Sequence, residues 1–420
     1  MVDDTPLTLW GARLIDGRGG PPRERVAIEL RAGRIHAITD LDGSATLPAD
    51  ALDVAGRSVL PGLIDVHVHA LSDTERSPGF GPPPRRSGEE PRADELRWFV
   101  LANAGRAWLR AGLTTIRDVG AFDDEALVLR EAIRLGLTSG PHIVSCGRIV
   151  TATAPGGRLF TTMYEEADGP WEMRRAVRRQ LRRGADYIKV MATGARSVLR
   201  EDPEPAQMTA EELEAAVDEA HRLGLRVAAH AEGLDGTRLA VRAGVDTIEH
   251  GLSLHREPAL LDEMAVRGTV LVPTLSTFHD LAERFADDFA PALVDQAKRQ
   301  LDEAYRTLRA AHAAGVTLAM GYDSGPPGTN AAELVRMAGA GLTAAEAIAA
   351  ATSGGAAALG LPDRGTVAPG AVADLIVVDA DPLADPAVLC RQPGPWLVVQ
   401  GGRVVAGAGP DLGPPAPGRR

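Results

Sequence analysis

The chain has 420 residues, a formal net charge of −12, 45% hydrophobic residues and only two cysteines. That is enough apolar material for one large domain with an appendage, or for two to three ordinary domains. The excess of 57 acidic over 45 basic residues argues against nucleic acid or an anionic membrane as partner. No apolar run reaches the roughly 18 residues of a membrane helix. Met1-Val2-Asp3-Asp4 lacks the basic and apolar regions of a signal peptide. Cys146 and Cys390 cannot build a disulfide framework or a Cys-rich zinc site, so a reducing cytoplasm is expected. Among the 45 basic residues only Lys189 and Lys298 are lysines.

In chain order, residues 7–58 alternate in short apolar segments, among them Leu7-Thr8-Leu9-Trp10, Val26-Ala27-Ile28-Glu29-Leu30 and Arg34-Ile35-His36-Ala37-Ile38. This pattern predicts antiparallel strands. The middle then predicts strands near 59–69, 114–119, 142–147, 187–192, 226–231, 247–250, 269–275 and 317–323. Helical stretches lie between them, including 94–111, 171–183, 209–224 and 296–314. Eight strand–helix units point to a (β/α)8 TIM barrel. The rival open sheet should carry a phosphate-binding glycine pattern after its first strand, and no Walker loop or GxGxxG stands there. Two later strands, Ala373-Asp374-Leu375-Ile376-Val377-Val378 and Trp396-Leu397-Val398-Val399, must pair with the early ones outside the barrel. The expected organisation is a β-sandwich from 1–58 plus 363–406, a barrel from 59–362, and a loose Gly/Pro-rich tail at 407–420.

The ligand-type residues share one place in this scheme. His67 and His69 are two apart on the first barrel strand, so both face one side at its C-terminal end. Such a pair fits a metal, although a hydrogen-bonded histidine pair would satisfy that strand alone. His230, His250 and Asp323 end three further strands. In a barrel these ends lie on one rim, where catalytic residues collect.

Lys189 lies in the apolar run Tyr187-Ile188-Lys189-Val190-Met191. Burial lowers the pKa of a lysine toward its nucleophilic free amine, and beside metals that amine can add carbon dioxide to form a bridging carbamate. Arginine, which stays protonated, cannot do this. Lys298, in the polar helical stretch Asp295-Gln296-Ala297-Lys298-Arg299, reads as a solvated surface residue.

Together these motifs resemble the amidohydrolase superfamily of metal-dependent hydrolases. The likeness rests on Pro61-Gly62-Leu63-Ile64-Asp65-Val66-His67-Val68-His69, Lys189, Ala229-His230-Ala231-Glu232-Gly233, Ile248-Glu249-His250-Gly251, Asp323 and Gly365-Thr366-Val367-Ala368-Pro369-Gly370, and spans about 7–406. Ile188-Lys189-Val190-Met191-Ala192-Thr193-Gly194 resembles the branch of imidazolonepropionase-like proteins, prolidase-like zinc carboxypeptidases and ochratoxin-type amidases. The resemblance implies two divalent metals, zinc by preference. His67, His69 and Asp323 would hold one, His230 and His250 the other, with carboxylated Lys189 between them. A bridging hydroxide would attack an amide carbonyl, and Asp323 would pass its proton to the leaving nitrogen.

Three departures fall on the substrate side: Gly156-Gly157-Arg158 where relatives carry Gly-Gly-His, Thr193-Gly194-Ala195 where they carry Thr-Gly-Gly, and Tyr322 where Thr is common. Arg158, Tyr164, Arg196, Thr274 and Tyr322 are the candidate substrate residues, and 71–93 a candidate lid. Cys146 reads as a core residue, and His36, His142, His221, His255, His279 and His312 fall outside the ligand pattern. GxSxG and HExxH are absent from the sequence. The expected substrate is a small amide such as a dipeptide or N-acyl amino acid, handled by a cytoplasmic homo-oligomer. The alternatives are opening of a lactam or imidazolone ring, lactone or phosphotriester hydrolysis, and a non-catalytic scaffold.

Overall fold

Both chain ends contribute to one sheet. In the computed structural model of the chain, the described residues are 6–71, 94–195, 198, 200–284, 286–288, 291–323 and 326–407. The sheet has eight strands, running in the order Arg403–Gly407, Leu397–Gln400, Leu375–Val378, Ser58–Pro61, Leu7–Leu14, Arg23–Arg31 and Arg34–Asp40, with Leu52–Asp53 also on Leu7–Leu14. Alternation buries Leu9, Ile28, Val59, Leu375 and Val399 in a core of their own. An antiparallel bridge also joins Arg34, at the far edge of this order, to Val372 just before Leu375–Val378. Residues distant in sequence thereby share one sheet, separate from the barrel strands, where a sandwich was expected.

The expected first barrel strand at 59–69 is divided. Ser58–Pro61 pairs with Leu375–Val378 in the end sheet, and the barrel strand is Leu63–Val68. Gly62 marks the change of sheet, because a Cβ there would lie 2.3 Å from the Thr114 side chain of the next barrel strand.

The remaining parallel strands are Leu113–Asp118, His142–Ser145 continued by Ile149–Thr151, Ile188–Met191, Val227–Ala231, Thr247–His250 and Val270–Val272. The eighth, 317–323, closes the ring through Leu271 N to Thr317 O (2.9 Å), Val66 N to Met320 O (2.9 Å) and Asp323 N to His67 O (2.8 Å). The architecture is a TIM barrel. Helices cover its outside, among them Arg97–Arg110, Gly169–Arg183, Ala210–Arg222 and Pro291–Ala313. Ala210–Arg222 starts at a capping box in which Thr209 and Glu212 satisfy each other's backbone N–H groups. The last of these helices starts earlier than its apolar pattern predicts, at a proline, whose fixed φ suits a first turn. Among the described residues no helix is long and apolar enough to cross a membrane. Apart from Leu71, the candidate lid lies outside the described residues, as does the tail beyond Gly407.

Candidate active site

Asp65, His67 and His69 share one face of the first barrel strand by period-2 alternation. Asp65 is fully buried and anchors the strand end, accepting from His67 N (3.0 Å), Tyr322 N (3.2 Å) and Asn330 Nδ2 (2.7 Å). Burial pushes its carboxyl up to about 7. Gly321, on the eighth strand, runs so close to the first that a Cβ there would be 2.7 Å from the Cβ of His67.

Each histidine commits one ring nitrogen to a neighbour. His67 Nδ1 donates to Glu249 Oε2 (2.6 Å), His69 Nδ1 to the Gly120 carbonyl (2.7 Å), and His230 Nε2 to the Gly194 carbonyl (3.1 Å). His250 Nδ1 meets the Thr274 hydroxyl (2.7 Å). With these bonds made, the ring nitrogens that could face a metal are Nε2 of His67, His69 and His250 and Nδ1 of His230. Asp323 Oδ1 lies 3.6 Å from Nε2 of both His67 and His69. The His67 and His250 rings are 5.0 Å apart and those of His230 and His250 4.6 Å. Burial lowers His67, and holds His69 at about 4, so both are the neutral imidazoles a metal needs.

Glu249 and His250 are consecutive, yet both meet the histidine cluster. An unbroken strand would point them to opposite sides. His250 instead adopts φ 72°, which swings its ring inward behind Glu249. Asp323 (φ 65°) and Thr274 (φ 46°) are also left-handed, at the ends of the eighth and seventh strands. Non-glycine residues in this region cost about 1–3 kcal/mol each and persist where surrounding contacts dictate them.

Beneath the rim lies a buried charge network. Arg117 donates to Glu249 Oε1 (2.6 Å), the Thr247 hydroxyl (3.1 Å) and the Val66 carbonyl (2.5 Å). Burial alone would raise the Glu249 carboxyl, but Arg117 and then Lys189 outweigh it and hold the group well below the usual range. Lys189 is 2% exposed, and burial lowers its amine to about 8. Burial pushes the Cys146 thiol up, consistent with an inert core residue.

Among the described residues, two groups of donors stand within metal-binding reach: His67, His250 and Asp323, and His230, Glu232 and His250. Imidazoles with carboxylate suit a divalent ion such as zinc, and His250 belongs to both groups. Of the five residues in these groups, spacing along the sequence marks His67, His230, His250 and Asp323 but not Glu232, and neither group includes His69 or Lys189. Glu249 and Arg117 are likewise unmarked by spacing. A lone arginine in the strand Leu113-Thr114-Thr115-Ile116-Arg117-Asp118 was the signal available for that network.

Among the candidate substrate residues, Thr274 is buried against His250 and Tyr322 is buried with its hydroxyl accepting from Thr329 Oγ1 (3.1 Å) and 3.4 Å from Asp280 Oδ2. Tyr164 is buried beside Phe160. Arg158 is exposed on the turn Pro155–Arg158. Glu201 ties that turn to the loop after the fourth strand, accepting from Gly156 N (2.6 Å) and Ala195 N (2.8 Å). Arg196 lies outside the described residues.

Residues 58–405 match the amidohydrolase family. The chain belongs to that family. This amidohydrolase is 31% identical to ochratoxinase of Aspergillus niger, over 98% of this chain and 89% of that protein. The crystal structure of that ochratoxinase superposes with a TM-score of 0.83, covering 96% of each chain. A Xaa-Pro dipeptidase crystal structure, with methionine bound in its active site, also gives 0.83 at 30% identity, covering 96% of this chain and all of the other. Imidazolonepropionase of Paracoccus denitrificans is 28% identical over 85% of this chain and 88% of its own. The amidohydrolase is accordingly a hydrolase of carbon–nitrogen bonds.

Proposed function

We propose that the protein is a binuclear metal-dependent amidase for small substrates with a free carboxylate, such as dipeptides and N-acyl amino acids. The observation that carries this reading is the pair of donor groups joined at His250, with Lys189 buried on the neighbouring strand. His67, His69 and Asp323 would hold one divalent metal, zinc by preference, and His230 and His250 the other. Lys189, as its carbon dioxide adduct, would serve both. Its depressed pKa supports that role, since the free amine is the form that adds carbon dioxide.

When bound, such metals polarise the amide carbonyl and bring the pKa of water toward neutrality. The chain's own groups do the rest. Asp323 takes the proton of the attacking water on its carboxylate and delivers it to the leaving nitrogen. Thr277 Oγ1 donates to Asp323 Oδ2 (2.6 Å) and fixes which way that carboxylate faces. Glu249 keeps the proton of His67 on Nδ1, so that Nε2 faces the site. Arg158, on the turn held by Glu201, offers a planar fork to the substrate carboxylate.

A substrate panel tests this reading. The metal-loaded protein should hydrolyse linear N-acyl amino acids or dipeptides and lose that activity to a chelator. Turnover of lactams or imidazolones with none of any linear amide would overturn the choice of substrate.

A further inference from the structure

The turn after the seventh strand carries two contacts to candidate ligands. Thr274 meets His250 through its hydroxyl, and Thr277 donates to Asp323. Between them begins the short helix Leu275–His279, whose first N–H groups need acceptors. A threonine at the residue before a helix ordinarily caps it with its own hydroxyl. Here Thr274 makes no such bond: its backbone is left-handed (φ 46°) rather than extended as a capping residue's is, and its hydroxyl is turned to His250.

Glu333 takes the capping place from outside the barrel. It is fully buried in the helix Ala332–Gly339. Its Oε1 accepts from Leu275 N (2.8 Å), and its Oε2 from Ser276 N (2.8 Å) and Ser276 Oγ (2.5 Å). Three residues on, Arg336 donates to Asp280 Oδ1 (2.8 Å), just beyond the end of the same short helix. Three residues before, Asn330 donates to Asp65, the anchor of the His67 strand. One segment therefore grips the rim at three places, and Glu333 is its grip on the threonine turn.

We propose that Glu333 is a positioning residue of the hydrolytic reaction. By capping Leu275–His279 in place of Thr274, it leaves that hydroxyl for His250 and sets Thr277 against Asp323. Without this acceptor the first turn of Leu275–His279 loses its cap, and the Thr274 and Thr277 hydroxyls lose their fixed positions against His250 and Asp323. This inference rests on the amidase reading above, in which Asp323 carries the proton.

The test combines a double-mutant cycle with hydrogen exchange. Glu333→Gln and Thr277→Val are each expected to lower kcat by about 10–100-fold with KM within about twofold. If Glu333 acts through Thr277, the double variant should fall little below the worse single one. Losses that multiply, or a Glu333→Gln protein with undiminished kcat, would overturn the proposal. Amide exchange on the metal-free protein should quicken at Leu275 and Ser276 in Glu333→Gln and not in Thr277→Val; unchanged protection also overturns it. Should Glu333→Gln fail to fold, Ser276→Ala removes one of the three bonds. It is expected to lower kcat about threefold, again without multiplying the Thr277→Val loss. Wild-type protein that hydrolyses no amide, while Glu333→Gln still quickens exchange at Leu275 and Ser276, would refute the amidase reading and leave the cap standing.

Discussion

His67 is fixed by Glu249 at its ring, by Asp65 at its backbone N–H and by Asp323 N at its carbonyl, whereas Arg158 stands exposed on a surface turn. The contrast extends across the rim. On the side proposed to hold metal, His250 and Asp323 adopt left-handed backbone angles amid surrounding contacts. On the side proposed for substrate, Glu201 joins the loops after the third and fourth strands, where Arg158, Leu159 and Asp202 are exposed although Thr193 and Ala195 are buried. A ligand displaced by an ångström loses a metal, so its position must be dictated from several directions. A recognition loop works with fewer constraints and can be rebuilt while the chemistry is kept.

Among substitutions, the largest effect should come from the centre of the constrained side. Lys189→Ala should lower kcat by at least about 10³-fold, with partial rescue by a short carboxylic acid that replaces the bridging group. Full activity in that variant would remove Lys189 from the mechanism. Glu249→Gln keeps the size of the side chain but leaves Arg117 without its charge partner and weakens the hold on His67. Metal affinity, measured by competition with a chelator, should fall about 10–100-fold.

The pH dependence of assembly is the next effect in size. With its amine at about 8, Lys189 gains free-base character as pH rises, through desolvation first and despite the opposing charge of Glu249. At fixed dissolved carbon dioxide, metal-free protein given zinc should recover activity about tenfold faster near pH 9 than near pH 7. A rate that does not change with pH would contradict carbamate formation at this amine. The smallest effect is expected on the substrate side. Arg158→Ala should raise KM about fivefold for substrates with a free carboxylate and leave metal content unchanged. An equal KM change for a carboxylate-free amide would show that Arg158 does not read that group.

The legible parts of the sequence were those where local pattern and chemistry agree. His67 and His69 declare themselves by spacing on one strand, and Lys189 by standing almost alone among 45 basic residues. The barrel followed from counting strand runs, and the end sheet from apolar alternation at both termini. The switch at Gly62 was hidden because its cause, the Thr114 side chain, lies about fifty residues away. Glu249 was masked by its neighbour, since alternation assigns only one of two consecutive residues to the site and a left-handed His250 breaks that rule. Thr274 looked like a substrate contact, yet its hydroxyl is turned to His250. Glu333 sits on a helix, and only the folded chain reveals that it faces the turn after the seventh strand.

The number of metals the rim holds decides most directly whether the site is binuclear. Elemental analysis of the protein, after incubation with zinc and bicarbonate and removal of loose ions, should return two metals per chain, and fewer in Lys189→Ala. Less than about one metal per chain in the wild-type protein, not restored by added zinc and bicarbonate, would contradict the binuclear amidase.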